Sequence, residues 1–154
     1  IAIAERMNSP LLLQQLGAIK RKIVAAFSET HQSRIRSLRK RILVGRAASP
    51  HVLSSFSTPQ GKALAGIADA FFNMRCISID YVDQKGATTS REVEPQFLYF
   101  CMPVWYLLAW DRLRDAVRCF RIDRIRTVVP VEKSFRLADP RLFLKEAEYG
   151  LEAL

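Results

Sequence analysis

Apolar residues recur every three or four positions in the first third of the chain, whereas later they fall at every second position or in short unbroken runs; helices are therefore expected first and strands afterwards. Ser9 is a good N-cap and Pro10 a good first helical residue, and Leu12, Leu16, Ile19, Ile23 and Phe27 then form one stripe. Ser28 or Thr30 caps a second helix with Ile35, Leu38 and Ile42 on its apolar side and Arg34, Arg36, Arg39, Lys40 and Arg41 over the remainder. The two are expected to pair as a helical hairpin. Residues 44–57 hold Gly45, Ser49, Pro50, Ser54, Ser55 and Ser57 without sustained periodicity and read as a linker or irregular crossing. Thr58-Pro59 opens a third helix, with Leu64, Ile67, Ala68, Phe71 and Phe72 on one face, which ends near Asn73. Strands follow near 76–82, 88–94, 97–102, 104–110 and 116–122, with a shorter extended piece at 126–130. Asp139-Pro140 starts a terminal helix toward Leu151, which makes residues 138–154 a helical tail. Periodicity thus gives an α+β chain with an antiparallel sheet or barrel after helices.

Val104 to Ala109 is too apolar and too short to be anything but a buried strand, and Asp111 to Asp115 supplies the turn that brings Ala116 to Ile122 back beside it. With a side-chain period of two, Arg118, Phe120 and Ile122 share one face of the returning strand, and Val117, Cys119 and Arg121 the other. Arginine therefore stands on both faces.

The triplet Trp105-Tyr106-Leu107 opens this hairpin, and Arg118-x-Phe120-Arg121-x-Asp123-Arg124-Ile125 closes it. Upstream stand Ile77-Ser78-Ile79-Asp80-Tyr81, a turn at Gly86, and Arg91-Glu92-Val93-Glu94-Pro95. In this order and spacing the chain resembles the WYL domain family, named for that triplet. A lone Trp-Tyr-Leu would carry no weight; four elements in sequence do. The resemblance implies an Sm-like, SH3-type antiparallel β-barrel for residues 58–137. It also implies a bacterial, cytoplasmic transcriptional regulator in which the WYL domain senses a ligand, residues 1–43 are the helical connector, and an N-terminal helix-turn-helix part, missing from this chain, binds double-stranded DNA.

The net charge of +9 is unevenly placed. Through residue 50 ten bases face two acids, whereas the rest holds 14 bases and 13 acids, so the strand-rich part is nearly neutral and its arginines matter only where the fold gathers them. The basic helices read first as solvated faces and second as phosphate contacts. Cys76, Cys101 and Cys119 are odd in number and form no Cys-x-x-Cys pair, which suits buried thiols in a reducing compartment. Apolar runs such as Phe97 to Ala109 are broken by Pro103 and fall short of the roughly 20 residues a membrane span needs. No secretory signal is visible in Ile1 to Arg6, and the start at Ile1 reads as a fragment of a longer protein.

No catalytic constellation is legible. His31 and His51 stand alone, and Asp80, Asp83, Asp111, Asp115 and Asp123 lie at turns or beside arginines. There is no Gly-rich phosphate loop and no Gly-x-Ser-x-Gly elbow. Neither an enzyme, a metal nor a cofactor is expected. Arginine grips phosphate bidentately and stacks on planar groups, and tyrosine offers a face to nucleobases, so single-stranded nucleic acid or a nucleotide-like anion is the expected ligand. Arg91, Arg118, Arg121 and Arg124 are the candidate anion contacts, with Tyr81 and Tyr106 as stacking or hydrogen-bonding partners. Trp105, Leu107 and Phe120 are assigned to the core of the motif. The alternative is an interaction module that builds a homodimer, its arginines pairing with the partner chain.

Overall fold

The computed structural model describes residues 38–145, so the expected helices within residues 1–37 and the end of the tail lie outside the described residues. The chain divides into two compact units, Ile1–Val44 and Gly45–Leu154. In the first, helix is present at residues 38–40 and gives way to a short strand, Ile42–Val44 (β1). Ile42 was expected on a helical stripe. The run Ile42-Leu43-Val44 before Gly45 is instead rich in branched residues that favour extended backbone. Arg41, expected on a solvated helix face, is 3% exposed.

The second unit carries the rest. Pro50–Ser54 (α1) and Gly61–Asn73 (α2) precede five strands: Arg75–Val82 (β2), Thr88–Cys101 (β3), Val104–Asp111 (β4), Ala116–Arg121 (β5) and Ile125–Ser134 (β6). A 3-10 turn, Ile122–Arg124, joins β5 to β6. These strands pair in the order β5-β4-β3-β2-β6, and every pair with a determined register is antiparallel. The long β3 pairs with β2 through Thr88 to Val93 and with β4 through Val93 to Cys101, with a register shift between Pro95 and Phe97. At the β2–β3 turn Asp83 Oδ1 accepts from the N–H groups of Lys85 and Ala87, and Gly86 takes φ 83°, a left-handed conformation that costs glycine little. At the β4–β5 turn Asp111 Oδ1 accepts from Leu113 and Arg114 N–H.

One face of the sheet holds Ile77, Ile79, Val93, Leu107, Ala109, Phe120 and Ile125, closed over by Ala63, Ile67 and Ala70 of α2. Helix and sheet approach closely at Gly66, where a Cβ would meet Val128 Cγ1 at 2.9 Å. The opposite face holds Cys101, Val104 and Tyr106 and is covered by Val52 of α1 with Ala48 and Phe56. β4 is therefore buried on both sides, as a strand between two apolar layers must be.

Two expectations change here. The stretch taken for a linker is packed into this unit: Gly45 N–H donates to Phe100 O, Ala48 N–H to Met102 O, and Ser49 caps α1 with Pro50 in its first turn. The barrel is not closed by hydrogen bonds, because the path of pairing runs from β5 to β6 without returning. The sheet is nonetheless strongly curled. Tyr81 on β2 and Phe120 on β5 are three strands apart, roughly 14 Å across a flat sheet, yet their ring centroids lie 5.1 Å apart in an edge-on contact.

Candidate anion-binding site

The curl brings the end of β2 against the end of β5 and the turn that follows. Tyr81 packs its ring on Phe120, and its hydroxyl lies near two donors, the Arg121 backbone N–H and the Arg124 guanidinium. Burial pushes the Tyr81 phenol above its ordinary pKa, against the opposing pull of those two donors, so it stays a neutral hydroxyl at physiological pH.

Arg121 lies behind this contact, 1% exposed. Its Nε donates to Asp123 Oδ1 at 3.1 Å and its Nη2 to Asp123 Oδ2 at 2.6 Å, a bidentate fork. Nη1 donates to Ser55 Oγ at 2.9 Å and Val52 O at 3.5 Å, and Nη2 also to Ser55 O at 3.1 Å. All five N–H donors of the guanidinium are thus used. Arg121 was expected to contact an anion; it is instead a buried structural pin, because nothing is left to donate and no surface is left to touch. Asp123 Oδ2 further accepts from Ser57 N–H at 3.2 Å.

Arg124 differs. It is half-buried, its Nη2 reaches Ser55 Oγ at 3.3 Å, and among the described residues no carboxylate lies within ion-pair distance of it. Two guanidinium groups therefore converge on one neutral hydroxyl while a single carboxylate, Asp123, serves only the inner one. The cluster keeps an uncompensated positive charge next to two hydroxyls and an aromatic ring.

The other expected residues are dispersed. Arg118 is exposed on β5 opposite Ala109, on the same sheet face as Phe120. Arg91 is half-buried on β3 opposite Ile79, on the face that also carries Tyr81. Both lie on the inner face of the curl, though neither touches the Tyr81–Arg124 cluster through a hydrogen bond or ion pair among the described residues. Tyr106 lies on the other face, opposite Tyr99 and Arg121, and is 0% exposed. It is corrected to a core residue, since β4 is covered on that side as well. Leu107 and Phe120 are buried, and Trp105 is half-buried and stacked on Phe100 with centroids 4.5 Å apart.

Ser55 escaped the sequence reading. It stands in a serine-rich stretch 66 residues from Arg121, and nothing local marks it out. No group of three or more His, Cys, Asp or Glu side chains among the described residues is placed to hold a metal ion. No helix among them is long and apolar enough to cross a membrane.

The curled sheet, the Trp105-Tyr106-Leu107 strand and the Arg121–Asp123 pin all lie within one stretch. Residues 62–130 match the WYL domain. The solved structure of the proteasome accessory factor B/C (PafBC) of Arthrobacter aurescens is similar, with 31% sequence identity and a TM-score of 0.51, over 58% of this chain and 15% of that one. The chain therefore spans about 15% of the length of that protein. Within the WYL match, Tyr81, Phe120, Arg121 and Arg124 come together, whereas the name-giving triplet serves mainly the two apolar layers.

Proposed function

We propose that this WYL domain is the ligand-sensing part of a transcriptional regulator and binds a nucleic-acid or nucleotide-like anion on the inner face of the curled sheet. The observation that carries this reading is Arg124: a half-buried residue whose guanidinium, near the Tyr81 hydroxyl, has no carboxylate partner among the described residues. A guanidinium without a carboxylate partner gains more from an arriving anion than one whose charge is already paired. Exposed Arg118 and half-buried Arg91 on the same inner face extend the positive surface along which a phosphate backbone can run. The WYL match and the likeness to PafBC support a regulatory role. Ligand occupancy is then passed to a double-stranded-DNA-binding domain outside this chain, in a cytoplasmic homodimer.

The test is fluorescence anisotropy of a short labelled oligothymidylate against the protein and its Arg118→Ala and Arg124→Ala variants, at low and moderate salt. Salt-sensitive binding that either substitution weakens by tenfold or so, about 1.4 kcal/mol, supports the reading. Binding that survives both substitutions would sink it and turn attention to the basic residues before position 50.

A further inference from the structure

The Ser55 side chain is hydrogen-bonded to the guanidinium groups of both the inner and the outer arginine. Its Oγ accepts from Arg121 Nη1 at 2.9 Å and from Arg124 Nη2 at 3.3 Å, and donates to Val52 O at 3.3 Å in the last turn of α1. A hydroxyl has one donor and two acceptor positions, so all three are engaged. The bond from Arg124 is the longer of the two arginine contacts and the only one open to solvent. Arg121 cannot follow a ligand, because Asp123, Val52 and the Ser55 carbonyl hold its other donors. Arg124 can.

We infer that Ser55 is a positioning residue that holds Arg124 in the ligand-free state and reports its departure to the α1 segment. This rests on the reading that an anion binds at Arg124. A phosphate brings an opposite charge and two oxygens that the guanidinium can grip in parallel, neither of which the neutral Ser55 hydroxyl offers, so an arriving phosphate draws Arg124 off Ser55. Ser55 then loses one of its two arginine contacts, and the turn it anchors is loosened. Three consecutive amides sit in that turn and each is hydrogen-bonded: Ser55 N–H to Val52 O at 3.4 Å, Phe56 N–H to Leu53 O at 3.1 Å, and Ser57 N–H to Asp123 Oδ2 at 3.2 Å. They form a built-in reporter, lying in the segment through which the chain enters this unit. The coupling is a competition: the ligand and Ser55 both want Arg124, and the ligand shifts the balance by its differential affinity.

The experiment is amide hydrogen exchange at residues 55–57, read in the full chain with and without a short oligothymidylate, together with anisotropy of the same oligonucleotide. In the ligand-free protein Arg124→Ala should speed exchange at these amides, and added oligonucleotide should do the same in the wild type. Ser55→Ala should bind the oligonucleotide several-fold more tightly, because the competitor is gone, and should show no further change on binding. Ser55→Thr, which keeps the hydroxyl, should behave as the wild type and separates this role from general destabilisation. Unchanged exchange in ligand-free Arg124→Ala overturns the inference whatever the oligonucleotide does. Oligonucleotide binding that depends on Arg124 but leaves these amides unchanged, or is weakened in Ser55→Ala, overturns it while leaving the anion site standing. An oligonucleotide that fails to bind at all, with Arg124→Ala still speeding exchange, removes the ligand class and keeps the contact between Arg124 and the turn.

Discussion

Arg121 and Asp123, two residues apart across the start of a 3-10 turn, form a bidentate ion pair with side chains 1% exposed on both sides. Breaking such a pair from one side leaves an uncompensated buried charge, which costs about 3–5 kcal/mol. Arg121→Ala should therefore lose stability of that order in urea unfolding and also free the Val52–Ser57 segment. Arg121→Lys should recover little, since an ammonium cannot reproduce the fork to Asp123 or the contacts to Ser55.

The Tyr106 hydroxyl is buried with no hydrogen-bond partner among the described residues. Such a group bears a desolvation cost with no return, so Tyr106→Phe should raise stability at neutral pH by about 1 kcal/mol, read as a higher Tm. A fall in Tm would show that the hydroxyl has a partner after all.

Alkaline pH tests the same residue differently. Burial, with Cys101 and Cys119 nearby, pushes the Tyr106 phenol from 10.0 up to about 12. The folded state therefore keeps its proton over a range where the unfolded chain has released it. The stabilisation is complete below about pH 10 and is lost as pH rises through about 12. Urea midpoints should fall across that window, and Tyr106→Phe should flatten the fall. Some slope should remain, because burial also raises Tyr81 and Tyr99.

Gln96, 0% exposed at the register shift of β3, donates to Arg136 O at 3.1 Å and accepts from Ala138 N–H at 3.1 Å. It thereby holds the segment after β6, which leads to Phe143, itself 0% exposed and 5.0 Å from Phe97 in ring centroids. Gln96→Ala strands a backbone carbonyl and an N–H, so about 1–3 kcal/mol should be lost and protease cleavage after residue 134 should accelerate. Unaltered cleavage would mean that Phe143 alone secures the tail.

The local part of this architecture was legible in the residues. Alternation and turn residues located β2, β4, β5 and both hairpin turns to within a residue or two. The break expected around Pro95 was a register shift inside one strand: proline reads as an interruption, but Pro95 pairs with Ala109 and the shift follows it. α1 was missed although Ser49-Pro50 repeats the Ser-Pro cap read at residues 9–10. The site was legible only in part because its decisive contacts are non-local. Arg121 and Arg124 look alike in sequence, and Ser55 and the curl that brings Tyr81 to Phe120 decide which one is pinned and which one is left facing outward. Tyr106 was misplaced for a related reason: alternation separates two faces of a strand but does not show that segment 48–56 covers the second.

The shift after Pro95 makes β3 two strands in one. Ahead of it the odd-numbered residues Arg91, Val93 and Pro95 face inward; beyond it the even-numbered Leu98 and Phe100 do, opposite Leu107 and Trp105. Gln96 thus works like the extra half-step in a zipper that lets two sections with different tooth patterns run on a single tape. The section ahead of the shift can change in sequence without putting the packing section out of phase, provided the number of residues between Pro95 and Phe97 is kept.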